Sequence, residues 1–233
     1  MEDQDQLSDE QRQKMLQFMT TEHSALQAGR SATIETGART AAFLGTVSSA
    51  LVALAFVGQI SGLGTAFFAF ALVLLPTLFF MGLATFERAL ESSIEDIIYA
   101  RGISRIRHLY VEVVPQAERY FVGSIHDDLA TTMASTRGDA EEATAPARGR
   151  LNSIIVGSFL TTAGAIAVVN SVIVGSFMGL LIRAVVVESL ALSVGVGIVV
   201  FVVSMFLHQR HQLARLHQSE QRLPALFPSE RTR

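Results

Sequence analysis

The sequence predicts an all-α integral membrane protein with four transmembrane helices, arranged as two N-in hairpins with cytoplasmic helical extensions. Three observations lead there. No charged side chain occurs from Thr40 to Phe86, none from Leu151 to Ile182, and none from Ser189 to Leu207. Soluble domains carry about 25% charged residues, whereas this 233-residue chain carries 17%, and the charges it lacks are missing from those runs. The runs also show no alternating polar period. Only helices and closed barrels satisfy every backbone group in hydrocarbon, and barrel strands would alternate.

Residues 1–39 read as a polar N-terminal helix. Ser8 with Gln11 three residues later has the form of a capping box. Met15, Met19 and Leu26 share one helical face, with Gly29 and Gly37 as candidate bends. The start is acidic and lacks the basic and apolar regions of a cleaved signal. The first span is therefore expected to insert uncleaved. Residues 40–86 form the first hairpin. A bilayer core about 30 Å thick needs roughly 20 helical residues, so this run holds two spans, Ala41–Val57 and Thr65–Phe86. The glycines between Gly58 and Gly64 mark the turn, and Pro76 is expected to kink the second span.

Residues 87–150 read as a cytoplasmic connector. Leu90, Ile94, Ile97, Ile98, Ile106 and Leu109 form its apolar stripe. Pro115 opens a short helix through Tyr120 and Phe121, and Arg137–Gly149 has the composition of a linker. Residues 151–207 form the second hairpin, with span three at Asn152–Val172. A turn is predicted around Gly175–Gly179, and span four ends at Leu207, with Arg183 and Glu188 flanking its start. Residues 208–233 are the tail, helical to about Arg222 and broken by Pro224 and Pro228.

Orientation follows from the arginines. Of 18 Lys and Arg, only Arg183 lies in a hairpin turn, so the positive-inside rule places both termini and the connector in the cytoplasm of a bacterial plasma membrane. A net charge of −3 gives no bulk signal for nucleic acid, and the absence of cysteine excludes disulfides and thiolate chemistry.

Few residues suggest chemistry. Arg101, Arg105, Arg107 and His108 form the best basic cluster. It could hold an anion such as a nucleotide or a lipid headgroup, or pair with Glu95, Asp96 or Glu112. His126-Asp127-Asp128 reads as a helix start or as surface residues rather than a metal site, since further ligands would have to come from elsewhere. His208, His211 and His217 read as interfacial anchors. No Asp, Glu, Lys or Arg sits at mid-depth in the spans, which argues against a pump or carrier. The polar groups available there are Asn170, Thr161, Thr162, Ser48, Ser49 and Ser193. They serve helix packing, or line a pore in an oligomer. No catalytic group, metal site or cofactor is predicted.

Three stretches resemble a functionally uncharacterised family of small multipass membrane proteins from high-GC bacteria. They are Phe18-Met19-Thr20-Thr21-Glu22-His23, Thr46 to Leu54, and Tyr120-Phe121 followed by His126-Asp127-Asp128. More remotely, the plan is similar to membrane effectors of phage-defence systems, in which a cytoplasmic helix leads into hairpin spans that respond to a nucleotide. The expectation is a non-enzymatic, homo-oligomeric signalling or effector protein. Its expected partners are the lipid bilayer and a cytoplasmic protein or nucleotide ligand. A scaffold or assembly factor is the alternative, followed by a small-solute transporter or channel.

Overall fold

The computed structural model describes residues 8–61, 64–137, 161–185 and 189–229. In chain order the elements are α1 (Asp9–Ser61), α2 (Thr65–Val113), a short 3-10 helix (Pro115–Tyr120), α3 (Leu129–Arg137), α4 (Thr162–Val185) and α5 (Leu190–Arg222). No strand occurs among the described residues. Four of the helices, α1, α2, α4 and α5, are long and apolar enough to cross a membrane. The all-α, four-span reading therefore holds.

The helices begin and end where local chemistry dictates. At the start of α1 the Ser8 N–H donates to Gln11 Oε1 at 3.0 Å, and the Gln11 N–H donates to Ser8 Oγ at 3.3 Å. This reciprocal pair satisfies two of the donors that a helix start leaves open. The 53 residues of α1 reach roughly 80 Å at 1.5 Å per residue, far beyond one bilayer core. The 49-residue α2 does the same, with Pro76 inside it. Val113 ends α2 before Pro115, whose ring sets the dihedral that opens the 3-10 helix.

Contacts divide the chain into two compact units. The apolar unit draws on Glu35–Ser93 and Leu151–Ser219. Its core is Val47, Leu54, Phe67, Ala71, Leu75 and Ile173. Many large apolar side chains point outward instead, among them Phe56, Phe70, Val73, Phe80, Val202 and Phe206, each more than half exposed. Helices apolar on all sides suit a lipid surround, where outward hydrophobes carry no penalty.

The second hairpin differs from expectation. The predicted turn at Gly175–Gly179 lies within α4, which continues unbroken to Val185. These glycines are contact points. A Cβ on Gly175 would come within 2.7 Å of the Gly197 carbonyl, one on Gly179 within 3.0 Å of the Ser193 carbonyl, and one on Gly197 within 2.9 Å of the Gly175 carbonyl. Small residues at a four-residue spacing let two helices approach to backbone contact. Gly175 and Gly179 thus form a packing seam rather than a helix break. Arg183 consequently sits in the last turn of α4 rather than in a loop, where a cation suits the negative end of the helix dipole. The predicted start of span three at Asn152, the linker at Arg137–Gly149 beyond its first residue, and Glu188 lie outside the described residues.

The polar unit draws on Met1–Ile34, Ile94–Arg150 and Glu220–Arg233. Here α1 and α2 pack antiparallel. Leu26 fills the space over Gly102, Tyr99 lies against Gly29, and Arg30 Nε donates to Asp96 at 3.0 Å. Ile97, Ile103 and Ile106 of α2 are buried in this unit. Ile98, expected in the same stripe, is instead 40% exposed, because adjacent helical positions point about 100° apart.

Candidate functional site

The densest concentration of charge and hydrogen bonding lies in the polar unit, where the segment after α5 is clasped by its main chain. Arg101 and Arg105 stand one turn apart on α2, and so project from the same face. Arg101, only 2% exposed, donates to the Leu223 carbonyl and to the Glu220 carboxylate. Arg105 donates through Nη2 to the Pro224 carbonyl at 2.6 Å and through Nε to Asp127 Oδ2 at 2.7 Å. Asp127 is fully buried. It accepts the Leu226 N–H at 3.0 Å and the Phe227 N–H at 2.8 Å, and its own N–H donates to the Phe227 carbonyl at 3.2 Å. Asp128 accepts the Ser229 N–H at 3.1 Å. The Phe227 ring stacks on His108, with centroids 3.9 Å apart and planes 20° from parallel.

Asp128 has a second task. It accepts the Thr131 N–H at 3.1 Å and the Thr131 hydroxyl at 2.7 Å, capping α3. The capping reading of this pair thus holds for Asp128. The surface reading fails for Asp127, whose partners lie about a hundred positions further along the chain. Burial alone would raise both carboxyls. For Asp127 the Leu226 N–H, Arg105 and the Phe227 N–H outweigh it, and for Asp128 Thr131 and Ser229 do. Both end below the usual carboxylate range. The segment they bind helps to hold both ionised, alongside Arg105 for Asp127 and Thr131 for Asp128.

Of the basic cluster, Arg101 and Arg105 are engaged by Glu220 and Asp127, partners the sequence reading did not name. His108 does lie beside Glu112, at 3.5 Å, as expected. Asp96 pairs instead with Arg30. Arg107 meets no carboxylate among the described residues.

The apolar unit holds a separate polar cluster. Asn170 is 1% exposed, and its Nδ2 lies 3.4 Å from His208 Nε2. His208 Nδ1 lies 2.8 Å from the Ser204 carbonyl. That contact requires a proton on Nδ1, which leaves Nε2 to accept from Asn170. Gly82 makes room for the amide, since a Cβ there would lie 2.2 Å from Asn170 Oδ1. Ser171 donates to Ser204 at 3.1 Å, and Gln212 donates to Thr161 Oγ1 at 3.3 Å. Thr161 also accepts the Gly164 N–H at the start of α4.

Asn170 and Thr161 therefore each bond to a residue of α5. Thr162 is half-buried, Ser193 abuts the Gly179 seam, and Ser48 and Ser49 face outward, with Ser49 bonded back to the Gly45 carbonyl. The histidines differ from the anchor reading. His208 is buried against the Phe86 ring, His211 reaches Glu87 at 2.8 Å, and only His217 is simply exposed. No group of three His, Cys, Asp or Glu among the described residues could hold a metal. An open groove of about 400 Å³ lies beside this cluster, lined by Leu83, Phe86, Val203 and Leu207. No family model matches this chain, nor does any curated protein or solved structure.

Proposed function

We propose that this is a non-enzymatic multipass membrane protein of the bacterial plasma membrane. In this reading it works as a homo-oligomeric signalling or effector protein, with the polar unit cytoplasmic and sensing, and the apolar unit within the bilayer. The clasped tail carries the proposal. Segment Leu223–Ser229 continues directly from α5, one of the four membrane-length helices. It is held by charged side chains that grip main-chain groups. Such a clasp can be opened by an arriving ligand that competes for the same arginines or carboxylates, and the end of a spanning helix would then be freed. A device of this kind transmits an event outside the membrane to a segment within it, and needs no catalytic group.

The test is reconstitution into liposomes with a membrane-potential dye. A chain ending at Arg222 mimics the opened clasp, and cross-linking reports oligomeric state. A permeability or oligomerisation difference between the shortened and full-length chains is expected. Monomeric behaviour and unchanged permeability in both would sink the proposal.

A scaffold role is favoured by a different observation. Val114, Tyr120 and Val122 are all at least half exposed within nine consecutive residues of the polar unit, the kind of apolar patch that a protein partner covers. A stoichiometric partner retained in mild detergent, and lost on Tyr120→Ser with Val122→Ser, would favour this second reading.

A further inference from the structure

Three arginines of the polar unit each own a carboxylate: Arg30 has Asp96, Arg101 has Glu220, and Arg105 has Asp127. Glu112 is taken by His108. Of the unit's described arginines without a carboxylate, Arg107 is the one that is not exposed. Its guanidinium is half-buried and lies over the main chain of Gly123, where a Cβ would fall 2.0 Å from Nη1. No hydrogen-bond acceptor reaches it among the described residues. On α1, the antiparallel pairing of Leu26 with Gly102 and of Gly29 with Tyr99 brings His23 opposite the turn of α2 that carries Arg107. The His23 Nδ1 atom is buried and has no partner.

The electrostatics are equally unbalanced. Burial, and after it the neighbouring Arg30, lower Arg107. Burial, and after it Arg107, lower His23. Arg107 therefore keeps its charge in a partly desolvated site beside the Arg30–Asp96 pair, the His23 imidazole is driven towards its neutral form, and no acceptor reaches the Arg107 guanidinium among the described residues. An unpaired charge costs more the further it is taken out of water, and this one is half-buried. A small dianion would answer both the Arg107 guanidinium and the unpartnered His23 Nδ1 at once. A guanidinium offers a planar fork matched to two phosphate oxygens, and a neutral imidazole adds one N–H.

We propose that Arg107, with His23, forms a binding site for a phosphate group, carried either by a free phosphate compound or by a phosphomonoester lipid headgroup. Of the basic cluster legible in the sequence only Arg107 belongs to this site, and its co-ligand, His23, comes from α1. The proposal stands apart from the effector reading, because binding is measured without any permeability assay.

The experiment is thermal unfolding of the full chain in phosphatidylcholine nanodiscs, with inorganic phosphate added against chloride at matched ionic strength. Phosphate should raise the unfolding temperature by about 3 °C once it is well above its dissociation constant. Arg107→Gln should abolish that shift while being no less stable than the native chain in chloride, because it removes an unpaired cation. Gly123→Ala keeps the charge but displaces the guanidinium, and should abolish the shift too. A parallel arm places phosphatidic acid in the nanodisc. A shift there alone assigns the site to a headgroup, and a shift with inorganic phosphate assigns it to a soluble ligand. No shift in either arm overturns the proposal. So does an equal shift in Arg107→Gln, and so does a destabilised Arg107→Gln alongside a native chain indifferent to phosphate.

Discussion

Replacing Asp127 with asparagine tests the clasp at its centre. The native carboxylate uses both oxygens. Oδ2 accepts from Arg105 and Leu226, and Oδ1 accepts from Phe227. An asparagine keeps one oxygen and presents an NH2 group in place of the other. Its better orientation retains the Oδ2 contacts and turns the NH2 group towards the Phe227 N–H, donor against donor. One charge-assisted bond is lost, at about 1.5–3 kcal/mol, and Arg105 loses its counter-charge. Breaking a buried pair from one side costs about 3–5 kcal/mol. The Arg105 side chain is 22% exposed, so the lower end applies, about 3 kcal/mol or roughly a hundredfold in the release of the tail. Amide hydrogen exchange of Leu226 and Phe227, read by mass spectrometry in nanodiscs, reports that equilibrium directly. Faster exchange confined to the tail is expected, with the buried seam of α1 and α2 unchanged. If both amides exchange within about threefold of the native rate, Asp127 does not hold the tail and the description of the clasp is wrong.

Two further outcomes follow from the same physics. The carboxyls of Asp127 and Asp128 lie below their unfolded value near 3.8. Their contribution is therefore complete above that pH and is lost as pH falls through the depressed native values. Tail protection should thus persist at pH 5 and fail only below about pH 4, and a tail already free at pH 6 would contradict it. In the apolar unit, Gly175→Ala should lower stability by about 1–3 kcal/mol through overpacking, whereas Gly195→Ala, with open space around it, should be neutral or slightly stabilising. Equal unfolding temperatures for the two variants in detergent would refute the glycine seam.

The fold was legible because its signals are long. Uncharged runs, the capping box at Ser8 and Gln11, and the proline after α2 are properties of neighbouring residues, which a sequence displays directly. Gly175 and Gly179 misled for the opposite reason. A glycine that breaks a helix and one that admits another helix read alike, and the partner that decides between them, Gly197, is far along the chain. The site was half legible. Arg101, Arg105, Arg107 and His108 stood out as a basic cluster, and Asn170 as a polar residue in an apolar run. That Arg101 answers to Glu220, Asp127 to Leu226 and Phe227, and Asn170 to His208 depends on long-range packing, which no local pattern encodes. The one signal that could have flagged Asp127 is its place beside a cap residue, where a second carboxylate is not needed for capping and so is free for another partner.

Because the clasp reads mostly main chain, apart from the Phe227 ring on His108 and the Ser229 side chain at Asp128, it sets an unusual rule for what the tail can become. The N–H groups it requires belong to Leu226, Phe227 and Ser229, and the two prolines of the segment stand at 224 and 228, where no N–H is used. Most exchanges at Leu226 should pass unnoticed, yet a proline there removes the donor itself. Across diverging copies of this chain, the tail outside Phe227 and Ser229 would be free to drift in composition so long as no proline enters position 226, 227 or 229.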